Sequence, residues 1–333
     1  MNNTNIVVRL NARPTGMPGR EHFKICEEPL PDLQPEEIRV AISYISISPS
    51  LRMQMNARES YLPAVPIGGL LRARAVGEVV ESRSSRFAKG DFVEGAFGPQ
   101  SYYSGPVAGV MKIDPALAPI ERYLGALGMS GLTAYFGLVH TCHPQAGQTL
   151  LVSAAAGSVG SIVGQIGKKL GCHVIGIAGG ADKCAYVTND LNYDACIDYR
   201  GEDVGQRLAE LAPDGVDIFF DNVGGEILEA TLANLAAGGM VSICGAISSY
   251  NDIDAICGPR NWLKLLERRA TLKGFSVYDF QSDYSEALAI LAGWIAGGAI
   301  KPAEHIEEGL ERFGDVLPML FHGSHRGKLI LKI

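Results

Sequence analysis

The stretch from Leu150 to Gly160 constrains this chain more than any other. It opens with the apolar run Leu150, Leu151, Val152, of the kind a buried parallel strand needs. The small residues Ser153 to Ala156 follow, then Gly157 and Gly160. The next segment, Ser161 to Leu170, carries apolar Ile162, Val163 and Ile166 at helical spacing. The pattern reads as strand, tight glycine turn and helix. Such a turn lets the backbone approach a pyrophosphate, which the N–H groups and positive dipole end of the helix attract. The glycines fall as Ala154-x-x-Gly157-x-x-Gly160, so the first glycine of the usual fingerprint is missing. Taken alone, the motif also suits an ordinary strand-to-helix turn.

A second apolar strand, His173 to Ala178, completes a β-α-β unit. An NAD site would carry Asp or Glu at its end to hold the ribose 2′-OH. Here that place reads Ala178, Gly179, Gly180, which removes the objection to a 2′-phosphate. Lys183 follows and can supply positive charge, although it reads equally as a solvated lysine at a helix start. Asp182 beside it counts mildly the other way.

The rest of the chain fits a two-domain protein. Its 333 residues suggest about two domains, and 47% hydrophobic content allows large cores. A net charge of −7 speaks against a nucleic-acid partner. No apolar run approaches the roughly 18–20 residues of a membrane helix, so no membrane partner is expected. The N-terminus shows no basic region followed by an apolar core. The seven cysteines are scattered, without a Cys-x-x-Cys pair, which suits a cytoplasmic protein.

Residues 1 to 124 read as β-rich and barrel-like. Strands are expected around Ile6–Leu10, Phe23–Cys26, Ile38–Ser43, Ala75–Val80 and Phe92–Glu94. Leu124 to Gly137 reads as helical. Six strands then alternate with helices, near 149–153, 172–177, 195–198, 217–221, 239–244 and 270–276, which is the full Rossmann count. After Gly297-Gly298 come a short strand, a helix around Leu310 to Phe321, and a last strand, Lys328 to Ile333, expected to return to the first domain. The expected fold is therefore α/β: a doubly wound parallel Rossmann sheet (125–298) inserted into a β-rich domain (1–124 plus 299–333).

Several runs sharpen the picture: Gly131–Gly137, Ala154–Gly160, Gly164–Lys168, Gly179–Cys184, Asp221–Gly225 and Cys244–Asn251. They resemble the zinc-free branch of the medium-chain dehydrogenase/reductase superfamily. This branch holds leukotriene B4 dehydrogenase/prostaglandin reductases, 2-alkenal reductases and NADPH-dependent curcumin reductases. The likeness runs over essentially the whole chain, including Arg13-Pro14, and is best to the last group. It implies that the first domain is GroES-like and that the assembly is a homodimer. The zinc enzymes of the superfamily place Gly-His-Glu near Gly68-Gly69-Leu70 and carry a four-cysteine lobe. This chain has neither, and His140, Cys142 and His143 lack further ligands at workable spacing, so no metal is expected.

The resemblance implies that NADPH reduces the C=C bond of an α,β-unsaturated ketone or aldehyde. Hydride would reach the β-carbon, and a hydrogen-bond donor would meet the developing enolate oxygen. Tyr250, just past the fifth Rossmann strand, and Tyr61, in a first-domain loop, match tyrosines of the family. Either could instead be a half-buried tyrosine with its hydroxyl at the surface. Relatives carry Asp/Asn-Pro-Tyr-Met-Arg after the third strand. Here the run is Ser48-Pro49-Ser50-Leu51-Arg52, which makes Ser50 and Arg52 substrate-pocket candidates and widens that pocket. The implied cofactor contacts are Ala155, Gly157, Ser158, Val159 and Gly160 for the pyrophosphate, and Gly179, Lys183 and Tyr199 for the 2′-phosphate, with Arg200 assisting. Asn222, Cys244, Gly245 and Tyr250 lie at strand ends on the cofactor side. His325 stands where relatives have an asparagine that reaches the cofactor. An NADPH:quinone reductase would share the zinc-free scaffold but not the Cys244–Asn251 run. A non-catalytic NADP-binding sensor would have no use for the two tyrosines.

Overall fold

A computed structural model of the chain describes residues 4–57 and 63–333. The chain divides into two compact units, one ending at Gly125 and resuming at Glu304, the other spanning Ala126–Ala303.

The first unit begins with β1 (Thr4–Leu10), β2 (Phe23–Pro29), β3 (Glu37–Ser46), a short helix α1 (Ser50–Gln54), β4 (Ala75–Ser82), β5 (Phe92–Gly95), β6 (Tyr102–Pro106) and β7 (Met111–Ile113). The second holds α2 (Met129–Tyr135), β8 (Thr149–Ser153), α3 (Gly160–Lys169), β9 (His173–Ala178), α4 (Ala181–Asn189), β10 (Ala195–Asp198), α5 (Val204–Leu211) and β11 (Val216–Asp221). It continues through α6 (Gly225–Ala233), β12 (Leu235–Ile243), α7 (Leu263–Arg268), β13 (Thr271–Gly274) and α8 (Tyr284–Ala296). The chain then returns to the first unit with β14 (Glu304–Glu308) and β15 (Lys328–Lys332).

In the first unit the sheet runs β14-β15-β3-β4-β5-β7, with β6 also on β3, and β1 pairs with β2. β15 joins β3 antiparallel, Ile330 opposite Ser46, so the last strand does return as expected. The alternation of β3 places Ile38, Val40 and Ile42, and past a register irregularity Ile45, in one core with Val79, Val93 and Leu331. Each large apolar side chain fully buried there contributes about 1.5–3 kcal/mol.

The second unit is an all-parallel sheet in the order β10-β9-β8-β11-β12-β13. Successive residues feed opposite faces. Leu150, Val152, Val174, Ile218 and Phe220 enter one core. Leu151, Ile175, Ile197, Phe219 and Val241 enter the other. That is why these strands are continuously apolar rather than alternating. From β8 the chain winds outward through β9 and β10, then crosses back to β11. The strand order therefore reverses between β8 and β11, and ligands of open α/β sheets bind outside the carboxyl ends at such a point.

Three expectations shift. The return crossing falls at Glu304 rather than residue 299. Although Gly297 and Gly298 end α8, the Ala299 N–H bonds back to Trp294, Ile300 is buried in the Rossmann core, and the Lys301 N–H donates to Gln165 Oε1 at 2.8 Å. Helix 124–137 begins only at Met129, after Gly125 and Gly128, and runs on into a π turn over Phe136–His140. The helix around 310–321 is three short turns, Leu310–Arg312, Phe313–Val316 and Met319–His322, because Pro318 cannot continue the backbone ladder.

Candidate cofactor and catalytic site

The glycine turn joins β8 to α3 as tightly as its sequence suggests. A Cβ on Gly160 would stand 2.3 Å from the Ala154 carbonyl oxygen, so only glycine fits where the helix starts. Ala154 itself holds φ of 51°, a left-handed conformation an alanine adopts at a cost. Ala155 is buried and its N–H bonds the Ile177 carbonyl, 3.0 Å away on β9. Gly157, Ser158 and Val159 are half-buried and border the helix N-terminus. Ser158 Oγ donates to Ser130 Oγ at 2.7 Å, which fixes the turn against α2. Beneath the helix, the Tyr193 phenol donates to the Gly160 carbonyl and accepts the Gly164 N–H. A side chain at Gly164 would collide with that ring. Tyr193 lies outside every sequence motif weighed above, and the only trace of it is the small residue at 164.

The corner after β9 carries the charged candidates. A Cβ on Gly179 would lie 2.9 Å from the Tyr199 hydroxyl and 3.0 Å from Arg200 Nε, so both side chains cover this glycine. Lys183 stands half-buried in the first turn of α4. The sequence puts no carboxylate at the end of β9, but β10 brings one across: Asp198 Oδ1 accepts the N–H of Gly180 at 2.7 Å and of Arg200 at 3.0 Å. These bonds turn one face of Asp198 inward and hold the corner in shape. Tyr199 and Arg200 thus cover a glycine-floored corner, with Lys183 in the helix turn that follows it, an arrangement suited to a phosphate.

At the strand-order reversal, Asp221 organises three strand ends. Its carboxylate is wholly buried. Oδ1 accepts Ser153 Oγ–H at 2.9 Å and the N–H groups of Val223 at 2.9 Å and Gly224 at 3.0 Å. Its main-chain carbonyl accepts the N–H of Cys244 at 2.8 Å and of Gly245 at 3.1 Å, the residues that follow β12. Ser153 Oγ in turn accepts the Asn222 N–H, and Asn222 Nδ2 donates to the Ser153 carbonyl, both at 2.8 Å. Burial pushes the Asp221 carboxyl up, against the pull of these donors. Burial also pushes the Cys244 thiol up to about 12, so it is a neutral packing group.

Tyr250 caps this end. Its hydroxyl oxygen accepts the Ala246 N–H at 3.2 Å and sits over Gly245, where a Cβ would come within 3.1 Å. Burial raises the phenol above its ordinary value, and the nearby Asp221 carboxylate adds to the shift. The phenol is therefore a fixed, protonated group whose own hydrogen is left to donate.

The remaining candidates belong to the first unit. Ser50 Oγ lies 2.9 Å from Ser48 Oγ at the start of α1. Arg52 is 2% exposed and donates to the carbonyls of Pro14 and Gly16 and to Asn56 Oδ1. These bonds make it a brace for the 14–16 loop rather than an open pocket cation. His325 is buried, with Nδ1 3.2 Å from the Met319 carbonyl oxygen. Tyr61 lies outside the described residues. Among the described residues no three His, Cys, Asp or Glu side chains group as a metal site.

Two family models match the chain: the N-terminal domain of oxidoreductase over residues 7–113 and zinc-binding dehydrogenase over 158–293. An NADPH-dependent curcumin reductase of Escherichia coli is 35% identical, covering 97% of this chain and 95% of its own. A 2-alkenal reductase (NADP(+)-dependent) of Nicotiana tabacum is 35% identical, covering 96% and 94%. The crystal structure of CurA in complex with NADPH from Vibrio vulnificus is 34% identical with a TM-score of 0.94, covering 98% of both chains.

Proposed function

Because the chain belongs to the medium-chain dehydrogenase/reductase family of NADP-dependent oxidoreductases, we propose that it reduces the C=C bond of α,β-unsaturated ketones and aldehydes with NADPH. The observation that carries this reading is likeness over nearly the whole chain to both a curcumin reductase and a 2-alkenal reductase. NADPH supplies the hydride.

The chain's own residues do the rest. The glycine turn at 157–160 suits a pyrophosphate, since it opens the N-terminus of α3 at the carboxyl end of β8. Lys183, Tyr199 and Arg200 around Gly179 hold the 2′-phosphate. When bound, the other half of the cofactor would reach toward the ends of β11 and β12, where Asn222, Cys244 and Gly245 stand. There the Tyr250 hydroxyl, held by the Ala246 N–H, donates to the enolate oxygen as charge builds on it. In the first unit, Tyr61, Ser50 and His325 remain candidates for substrate contact, while Arg52 braces the loop beside α1. The deciding experiment offers a panel of enones, enals and quinones with NADPH and with NADH. Turnover of enones with NADPH supports the reading, and turnover of quinones alone overturns it.

We also read the chain as a homodimer. β13 is the edge of the Rossmann sheet and all four of its residues are exposed. Leu272 on it, with Trp262, Leu263 and Leu266 before and along α7, forms an exposed apolar strip. An open parallel edge beside such a strip suits two-fold pairing with a second copy. Leu266→Asp with Leu272→Lys should then give a monomer by light scattering, and an unchanged mass would refute the interface. Seven free cysteines, two of them buried, suit a reducing cytoplasm.

A further inference from the structure

The buried carboxylate of Asp221 sits at the strand-order reversal, and the proposed reaction leaves it unused. Each of its hydrogen-bonded neighbours is a donor. Ser153 Oγ already accepts the Asn222 N–H, so its own hydrogen points to Asp221. Val223 and Gly224 present N–H groups. These donors on both oxygens favour the ionised form, against the burial that pushes the carboxyl up. Packing alone does not call for a charge here, since an uncompensated buried charge is costly to desolvate.

The position gives that charge a role. With the pyrophosphate at Gly157–Gly160 and the 2′-phosphate at Gly179–Arg200, the nicotinamide half extends over the ends of β11 and β12. Asp221 ends β11, and its carboxylate lies beneath the 222–224 turn at that end. NADP+ differs from NADPH by one positive charge on the ring. A fixed negative charge in a low-dielectric site acts on that difference.

We propose that Asp221 is a positioning residue whose buried negative charge favours the oxidised, cationic nicotinamide over the reduced one, and so favours hydride release. This inference rests on the NADP-binding reading above. The phosphates and the adenosine half are common to both forms of the cofactor, so the ratio of the two dissociation constants isolates the effect at the ring.

The test measures Kd for NADPH, NADP+ and 2′,5′-ADP, by calorimetry, for wild type and Asp221→Asn. NADP+ is expected to weaken about three- to ten-fold relative to NADPH, while 2′,5′-ADP, which lacks the nicotinamide, binds as before. Equal weakening of NADPH and NADP+, loss of 2′,5′-ADP binding along with them, or an unchanged ratio each overturns the proposal. If Asp221→Asn does not fold, Asp221→Ser, which keeps an uncharged acceptor at the same turn, carries the same measurement. Wild-type protein that binds none of the three ligands would contradict the NADP-binding reading instead.

Discussion

The hydroxyl oxygen of Tyr250 accepts the main-chain N–H of Ala246, 3.2 Å away. The bond folds the phenol back over Gly245. It fixes the oxygen, keeps the phenolic hydrogen free, and ties both to the end of β12 that Asp221 holds through Cys244 and Gly245.

That arrangement predicts the kinetics of Tyr250→Phe. If the hydroxyl meets the enolate only in the transition state, kcat falls by on the order of 10²-fold on a good enone, while NADPH Kd stays within about two-fold. Tyr250→Ala should in addition raise Kd, because the ring covers Gly245. Wild-type kcat in the phenylalanine variant would remove the donor role.

The notch around Gly179 predicts cofactor choice. Lys183→Ala is expected to weaken NADPH by about 1–3 kcal/mol, the scale of a charge-assisted hydrogen bond, and to leave NADH nearly unchanged. Arg200→Ala should act in the same direction and less strongly, since its guanidinium is also drawn toward the Tyr199 ring, 5.9 Å from its centroid. Competition titrations with both cofactors check this. Equal losses for NADH and NADPH would move the 2′-phosphate elsewhere.

Gly160 gives a steric prediction. The Cβ of Gly160→Ala would sit 2.3 Å from the Ala154 carbonyl oxygen, a backbone atom that cannot turn aside. The variant should lose about 1–3 kcal/mol of stability, the range of core overpacking, and bind NADPH more weakly. Gly147→Ala serves as a contrast: its Cβ would meet nothing within 4 Å, but its φ of 87° adds backbone strain alone. Thermal unfolding with and without NADPH separates the two effects. Full NADPH affinity in Gly160→Ala would refute the pyrophosphate turn.

Much of this was legible in the sequence, for a physical reason. Strands buried on both faces must be continuously apolar, so β8, β9 and β11 show as runs, and the glycine turn shows because no other residue fits at Gly160. Contacts made across the fold leave no such mark. Asp221 and Ser153 meet 68 residues apart, and Asp198 reaches Gly180 from the neighbouring strand. Arg52 matched a family position, but only the fold reveals that its guanidinium is spent on the Pro14 and Gly16 carbonyls. The domain return was misplaced because Gly297-Gly298 looks like a boundary, while Ile300 and Lys301 still pack on the Rossmann unit.

Lys328 predicts a pH dependence. Its ammonium is buried, bonds the Ile47 carbonyl at 2.8 Å, and burial lowers its pKa to about 7. Here the folded pKa lies below the unfolded one. Between the two, the unfolded chain binds the extra proton, so this group's contribution to stability rises with pH from about 7 toward 10. Below pH 7 the lysine is charged in both states and the penalty is constant. Denaturant unfolding of wild type and Lys328→Met at pH 7 and pH 9 should show wild type gaining relative to the variant. A pH-independent difference would contradict this.

The central claim is that hydride reaches the β-carbon of a conjugated carbonyl. The most direct measurement follows the product of a simple α,β-unsaturated ketone and NADPH by NMR, with NADPH consumption read in parallel. The account predicts one saturated ketone per NADPH oxidised, with the carbonyl intact. An allylic alcohol, or NADPH oxidation without loss of the C=C bond, would contradict it.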